Sequence, residues 1–500
     1  MAKTTKIKRV HFIGIGGSGM SGIALVAHNR GIRVTGSDLK ESRYMRALLR
    51  AGVKVNLGHD VANVADPSID VVVASSAIPF NNPEYEAALA QGLEIWPRAR
   101  MLAYLGKGLT TLAVAGTHGK TTTSAMLASA LDRLGADPTF LVGGVVDGYD
   151  STARAGHGSH FVVEADESDG SFTWLDPALA IITNIEVDHL DHYSGLEEII
   201  GSFESFLNKM TPQGDLIIWN ETQGLAELTA VATAKGLKIT TYGQAHDTPD
   251  LPQPHIICEP KDIHSFDVVY PNNKRVTLTL ATSPGIHNML NATAVMAALD
   301  LLRFNRQKAA EAVSQFTGVK RRFDLIGKTH GITVIDDYGH HPTEINATLK
   351  AASELGYTRV HVLFQPHRYT RTDALLPDFA TSFDHADTVS FMDIYSAGEA
   401  PIPGVNGEAL VDALLAHNPA TNARFIRHRA EVPTAMAQIA QPGDLIITMG
   451  AGDVTALAPL ILQALKEQLD PSYNDKNATA APTNSTSGKA GPEGFGDVSL

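Results

Sequence analysis

The chain has 500 residues and a mass of 53.3 kDa, with 44% hydrophobic and 19% charged residues. That composition can bury about three domains' worth of core at roughly 150 residues each, and it excludes a generally disordered chain. Forty basic against fifty-four acidic residues give a net charge of −14, which argues against a general nucleic-acid or anionic-membrane binder but leaves room for local phosphate sites. Cys258 is the single cysteine, so an internal disulfide is excluded; a reducing compartment and a buried, inert thiol are expected. No apolar run approaches the ~18 residues of a membrane span. The basic start from Met1 to Val10 invites a signal-peptide reading, but Gly14, Gly16, Gly17 and Gly19 cut the apolar segment behind it. Strand, glycine turn and helix is the better reading, and a cytoplasmic protein is expected.

Short apolar runs alternate with helical patterns almost throughout, which predicts an α/β protein on parallel sheets. Val10–Ile13 reads as a strand, and Met20, Ile23, Ala24 and Ala27 follow at helical spacing. Gly31 ends that helix, Arg33–Gly36 opens the next strand, and Ile69–Ala74 is a third buried run. A second unit starts at Leu112–Ala115, and the helix after it sets Met126, Leu127, Ala130, Leu131 and Leu134 on one face. Further strands are predicted at Phe161–Val163, Ala180–Thr183 and Leu216–Trp219. Between Gly243 and Thr282, prolines and short alternating runs such as Arg275–Leu280 predict an antiparallel excursion. A third unit begins near Gly318, with strands at Ile332–Asp336, His361–Phe364, Thr388–Met392 and Leu445–Met449. The expected domains are 1–107, 108–317 and 318–470, followed over 471–500 by a disordered tail too poor in bulky apolar residues to offset its ordering entropy.

Gly14-Ile15-Gly16-Gly17-Ser18-Gly19 fits G-x-G-x-x-G between a strand and a helix, where backbone amides can receive a diphosphate. Asp38, at the end of the next strand, stands where a dinucleotide enzyme holds a ribose hydroxyl. Alone, this loop predicts an NAD enzyme, although the glycines do not decide which nucleotide binds.

Gly116-Thr117-His118-Gly119-Lys120-Thr121-Thr122 also joins a strand to a helix. It is a shortened phosphate loop, because Val114 stands where the first glycine of G-x-x-x-x-G-K-T would be. Lys120 can neutralise phosphate oxygens and a following threonine can hold Mg²⁺. Two strand ends downstream, Glu164–Asp169 and Glu186–His192, carry carboxylates and imidazoles where α/β sheets bind ligands. Beside the phosphate loop they read as metal support rather than as solvated helix starts. Arg368 and Arg371, three residues apart after a strand, suit carboxylates or phosphates. Asp336-Asp337-Tyr338-Gly339-His340-His341 occupies another strand end before Pro342. A dehydrogenase needs only the first loop, and a nucleotide-sugar-sensing ATPase leaves the late motifs idle. An ATP-driven enzyme acting on a nucleotide conjugate uses both loops.

From about Arg9 to Pro459 the chain resembles the Mur ligases, which build the peptide stem of bacterial peptidoglycan. The resemblance is carried in order by HFIGIGGSGMSGIA from His11, AGTHGKTTT from Ala115, EADESD from Glu164 and TNIEVDHLDHY from Thr183. It continues with GIHNMLNA from Gly285, RRFD from Arg321, DDYGHHPTE from Asp336 and FQPHRYTRT from Phe364. It implies a Rossmann-like N-terminal domain for a UDP-sugar, a central P-loop ATPase α/β domain, and a C-terminal Rossmann-like α/β domain that closes over ATP and receives the amino acid. The implied reaction is ATP-dependent joining of L-alanine to the lactyl carboxylate of UDP-N-acetylmuramate through an acyl phosphate, with Mg²⁺ at two sites. Neither nucleic acid nor membrane insertion is implied, and both monomer and homodimer are compatible with it.

By the same resemblance, Gly16, Gly17, Ser18, Gly19 and Met20 hold the UDP diphosphate, with Ser37, Asp38, His59, Ser75, Ser76, Ala77 and Ile78 around the uridine. Gly116 to Thr122 hold the ATP phosphates, with Lys120 on the γ-phosphate. Thr121 and Glu164 hold one Mg²⁺, and His189 joins Glu164 at a second. His287, Asn288 and Asn291 match the adenine-side motif. Arg321 or Arg322 supplies a charge clamp, and Asp336 or Asp337 the ATP ribose partner. Tyr338, His340, Arg368 and Arg371 orient alanine and the muramoyl carboxylate, and His340 is the candidate base. Arg100 replaces the acidic residue usual after Arg98-Ala99, a change expected to retune the domain interface.

Overall fold

A computed structural model describes residues 6–168, 170–188, 192–246, 253–271 and 273–469. His189 and the expected tail over 471–500 lie outside the described residues.

Three sheets follow one another along the chain. The first contains β1 (Arg9–Ile13), β2 (Arg33–Asp38), β3 (Lys54–Leu57), β4 (Val71–Ala74) and β5 (Glu94–Pro97), all parallel in the order β3-β2-β1-β4-β5. The predicted run from Ile69 becomes a strand only at Val71, because the Asp70 carboxylate accepts the Lys8 and Arg9 amides at the sheet's end. The second sheet has ten strands: β6 (Thr110–Ala115), β7 (Thr139–Val146), β8 (Ser151–Arg154), β9 (His160–Glu164), β10 (Leu179–Ile182), β11 (Asp215–Trp219), β12 (Lys238–Gly243), β13 (Ile256–Pro260), β14 (Ser265–Tyr270) and β15 (Lys274–Thr279). Its order is β15-β14-β13-β12-β11-β10-β6-β9-β7-β8. The predicted antiparallel excursion is β13-β14-β15, which joins the parallel part through β12. The third sheet, β16 (Asp324–Thr329), β17 (Ile332–Asp337), β18 (Val360–Phe364), β19 (Thr388–Phe391), β20 (Asn422–Phe425) and β21 (Leu445–Met449), runs β16-β17-β21-β18-β19-β20 and is antiparallel only at β16.

Leu112, Val114 and Ala115 of β6 are completely buried, as expected for a parallel strand covered on both faces. The helix Lys120–Arg133 behind it is buried at every position from Thr121 to Leu131, so its apolar spacing is less a stripe than a filled cylinder. Helix Ile286–Leu301 packs beside it and is equally enclosed. Phe172 stacks on Phe206 at 4.9 Å in the central core, while Phe364, Phe383 and Phe391 make edge contacts in the third. Thr183, predicted in a strand, lies just beyond β10 and donates its hydroxyl to the His118 carbonyl. Arg100 pairs with Glu94 at 2.9 Å and lies over Trp96, both on β5.

Gly36 sits where β1 and β2 meet the glycine loop. A Cβ there would stand 2.5 Å from Ile15 Cδ1 and 2.7 Å from the Phe12 carbonyl oxygen, and the latter is backbone that cannot yield cheaply. Gly36→Ala is expected to cost about 1–3 kcal/mol, the range for overpacking, read as an earlier transition in urea unfolding. An unchanged midpoint would contradict that packing.

Candidate active site

The motifs gather at the carboxyl ends of the parallel strands in the three sheets. At the first, Gly14 adopts φ +80° and its amide, like that of Ile15, donates to the Ser37 carbonyl. Asp38 Oδ2 accepts the Gly16 amide at 2.8 Å, so this oxygen closes the glycine loop. Helix Ser18–Asn29 begins directly behind Gly17, and the amides of Ser18, Gly19 and Met20 are its first-turn donors. The Ser75–Ile78 turn packs under Gly14, with Ser76 and Ala77 exposed.

Beside this loop lies a buried carboxylate that the sequence did not single out. Glu84 is fully buried in the first turn of helix Pro83–Ala90, where a negative charge is favoured. Ser37 Oγ donates to its Oε2 at 2.5 Å, and Asn63 Nδ2 and the Asp60 amide donate to Oε1. His11 Nε2 and His59 Nδ1 lie 3.4 and 3.5 Å from Oε2. Burial would raise its pKa, yet the hydrogen bonds from His11, Asn63 and Ser37 prevail and bring it down to about 2. Nothing in Asn82-Pro83-Glu84 beyond an ordinary helix start announced this role. Leu39 just after β2, Leu57 at the end of β3 and Phe80 after β4 are exposed.

In the second sheet the phosphate loop links β6 to helix Lys120–Arg133. Gly116 has φ +129°, and a Cβ on it would overlap the Thr183 hydroxyl; Gly119 has φ +80° and lies against Asn291. Thr117 and His118 donate their amides to the backbone and side-chain oxygens of Asn184. Lys120 folds back, donating to the Gly116 and Thr117 carbonyls at 2.6 and 3.1 Å and to Glu167 Oε1 at 2.9 Å. Burial opposes its charge, but Glu167, Asp166 and Glu164 hold its pKa above the ordinary lysine value. Burial also pushes Glu167 up to about 7 against the opposing pull of Lys120.

Thr121 Oγ1 donates to Glu164 Oε1 at 2.9 Å, and the Gly143 amide donates to Oε2 at 2.6 Å. A hydroxyl and a carboxylate together at a phosphate loop are the hard oxygen donors that suit Mg²⁺, so these residues fit that ion. Thr122 is buried at the helix start. Asn291 donates to Asn288 Oδ1, and Asn288 Nδ2 lies 3.0 Å from His287 Nε2, which brings the adenine-side candidates to the loop at Gly119. Burial depresses His287 to about 4.

At the third sheet the two candidate ribose acids are both engaged. Asp336 accepts the hydroxyls of Thr448 and Thr455 at 2.6 and 2.7 Å, and Asp337 accepts the Phe323 and Gly339 amides. In this arrangement both are buried braces of the β17 end. Arg321 donates to the Gly450 and Gly452 carbonyls and lies 3.5 Å from Asp336, while Arg322 pairs with Glu344 at 3.2 Å. Both guanidiniums lie over the Tyr338 ring, at 4.7 and 4.9 Å. His340 is edge-on to Tyr338 and pairs with Glu344 at 3.2 Å. Arg368 has φ +71° and reaches toward Glu399 at 3.8 Å, whereas Arg371 donates to Asp188 Oδ1 from the central domain at 2.9 Å.

The second and third sheets meet at His118. Its Nε2 lies 3.6 Å from Glu186 and its Nδ1 3.5 Å from Glu344, while Thr343 donates to Glu186 at 2.7 Å. Beside them a cleft of about 400 Å³ is lined by Glu186, Gln223, His341, Thr343 and Asn346. Glu167, Glu186, Asp188 and Glu344 thus belong with the site, though only the sequence clusters, not these roles, were visible.

Sequence models of the Mur ligase family match in succession: its catalytic domain over residues 9–109, its middle domain over 114–299 and its glutamate ligase domain over 321–452. The UDP-N-acetylmuramate–L-alanine ligases of Streptomyces avermitilis and Acidobacterium capsulatum are each 43% identical to the chain, covering 93% of it and 99% of their own length. The crystal structure of UDP-N-acetylmuramate-alanine ligase from Thermotoga maritima superposes with a TM-score of 0.74 at 28% identity, covering 92% of this chain and 99% of that one. A murein peptide ligase from Psychrobacter arcticus gives 0.66 at 27% identity, covering 91% and 98%.

Burial pulls His118 down, but the carboxylates of Glu186 and Glu344 on either side of its ring outweigh this and raise it from 6.5 to about 9. Because the folded value is the higher one, its contribution is complete below pH 6.5 and fades as pH climbs through about 9. The junction is therefore expected to loosen over that interval. Urea midpoints of wild type should fall between pH 6.5 and 9 more steeply than those of His118→Gln; parallel profiles would contradict the ion pairing.

Proposed function

The chain belongs to the Mur ligase family, and from that premise we propose that it joins L-alanine to the lactyl carboxylate of UDP-N-acetylmuramate, converting ATP to ADP and phosphate. The observation that carries this reading is 43% identity to alanine-adding ligases across 99% of their length. The two loops explain why such a reaction needs this chain. One glycine loop with first-turn amides suits the diphosphate of a nucleotide-linked sugar, and a separate lysine-bearing loop suits ATP.

A carboxylate is a poor electrophile without a competent leaving group. In the proposed route the lactyl carboxylate attacks the γ-phosphorus of ATP, ADP departs, and the carboxyl carbon becomes an acyl phosphate. The alanine amine adds to that carbon, loses a proton, and the tetrahedral intermediate expels inorganic phosphate to leave the amide. Lys120 exchanges its bonds to the Gly116 and Thr117 carbonyls for phosphate oxygens, and the amides at the start of helix Lys120–Arg133 orient them. Thr121 and Glu164 would hold Mg²⁺, which when bound supplies neutralisation of phosphate charge. A second ion with His189 belongs to the same proposal. Arg368, Tyr338 and His340, presented by the third sheet, receive alanine and the muramoyl carboxylate, with His340 the candidate base. Arg371, engaged by Asp188, ties that surface to the central domain. Nucleotide substrates of this kind place the reaction in the cytoplasm.

Phosphate release should require Mg²⁺, ATP, UDP-N-acetylmuramate and L-alanine together; release indifferent to alanine would redirect the reading to another amine. Lys120→Ala should reduce kcat by about 10²–10³, the range for removing one transition-state donor. Near-normal turnover would sink the phosphate-loop assignment.

A further inference from the structure

Proton bookkeeping around Glu84 determines which edge of His59 is offered to a ligand. Glu84 is ionised and can only accept hydrogen bonds. Ser37 has one hydroxyl proton and donates it to Glu84 Oε2, so its remaining lone pairs can only accept. His59 Nδ1 lies 3.0 Å from Ser37 Oγ and 3.5 Å from Glu84 Oε2, and both are acceptors, so Nδ1 must carry the hydrogen. In the neutral ring, Nε2 is then a bare lone pair. It has no hydrogen-bond partner among the described residues and is not sealed from solvent, the side chain keeping 7% exposure. Ser37 also supplies the carbonyl that receives the Gly14 and Ile15 amides, so this histidine adjoins the glycine loop.

We propose that Glu84 is a positioning residue which, through Ser37, locks His59 as the Nδ1–H tautomer, so that Nε2 accepts a hydrogen bond from the uridine of the substrate. This rests on the UDP-sugar reading above. The matching donor is the uracil N3–H or a ribose hydroxyl. An Nε2 acceptor opposes a cytosine ring, whose N3 carries a lone pair instead of a hydrogen, so the relay would favour uracil wherever it meets the base.

Glu84→Gln keeps the shape but reverses the relay. The oxygen of the introduced amide stays with the Asn63 and Asp60 donors, its NH₂ group donates to Ser37, and Ser37 then donates to Nδ1, moving the ring hydrogen to Nε2. The test begins with ¹⁵N NMR of histidine-labelled wild-type protein, the His59 signals assigned with His59→Gln. The Nδ1–H pattern is expected; an Nε2–H ring overturns the relay without any variant having to fold. In steady-state kinetics Glu84→Gln should raise KM for the UDP-sugar roughly tenfold or more, a lost buried hydrogen bond, with kcat and KM for ATP kept. Ser37→Ala should do the same, and the double variant should add little. An unchanged KM, or equal losses for all substrates, overturns the proposal. Calorimetry with UDP, its N3-methyl analogue and its 2′- and 3′-deoxy analogues identifies the donor; undiminished affinity for every analogue overturns the inference. Failure of UDP itself to bind wild type overturns the UDP-sugar reading as well, which separates the two.

Discussion

A carboxylate removed from water must be given donors or counter-charges, and much of this active region follows from that requirement. Glu344 is the clearest case. It lies within ion-pair distance of His118, Arg322 and His340, so one acid ties the phosphate loop to the motifs of the third sheet. Burial would raise its pKa, yet its neighbours His340, His118 and Arg322 hold it well below the ordinary value. Glu186 balances it on the other side of the His118 ring, and Arg371 with Asp188 repeats the arrangement nearby. Such pairs do not rank as large net stabilisers once desolvation is counted; they fix geometry, because removing either partner strands the other charge.

The same requirement shapes the phosphate loop. Lys120 has few ways to be satisfied in a largely enclosed position, and it takes two carbonyls of its own loop together with Glu167. Glu164 is likewise held by the Thr121 hydroxyl and the Gly143 amide. A phosphate chain arriving here replaces existing hydrogen bonds instead of filling bare space. Its binding gain is therefore a difference between two well-satisfied states. The glycines decide whether it can approach at all. Gly116 and Gly119 are in the left-handed region and lie against Thr183 and Asn291, where side chains would overlap.

The fold supplies all three sites by one rule. Parallel strands place their carboxyl ends on one edge, and loops there can carry polar residues without disturbing a core sealed on both faces. Each sheet uses that edge for a different partner: the glycine loop after β1, the phosphate loop after β6, and the Asp336–His341 segment at the end of β17. The junction at His118 then sets how the second and third edges face one another.

The sequence by itself determined the α/β class, the fully apolar strands, both glycine loops and the late charged motifs. Those signals are local, since a buried parallel strand is a short apolar run and a phosphate turn needs glycine at fixed offsets. Short strands such as β3, β5 and β20 escaped because half-exposed segments of four residues have no distinctive period. The partners of the charged groups were not legible at all. Asp38, Asp336 and Asp337 read as ligand residues, and nothing in the sequence showed that Asp38 also accepts the loop amide or that the other two also accept threonine hydroxyls and backbone amides. Glu84 read as an ordinary helix start, yet it gathers groups from three separated segments. Which donor meets which acceptor depends on chain crossings dozens of residues apart, and burial makes each of those meetings energetically decisive. Residue types can therefore be read from the sequence, but their final roles are decided only when tertiary packing has shut out water.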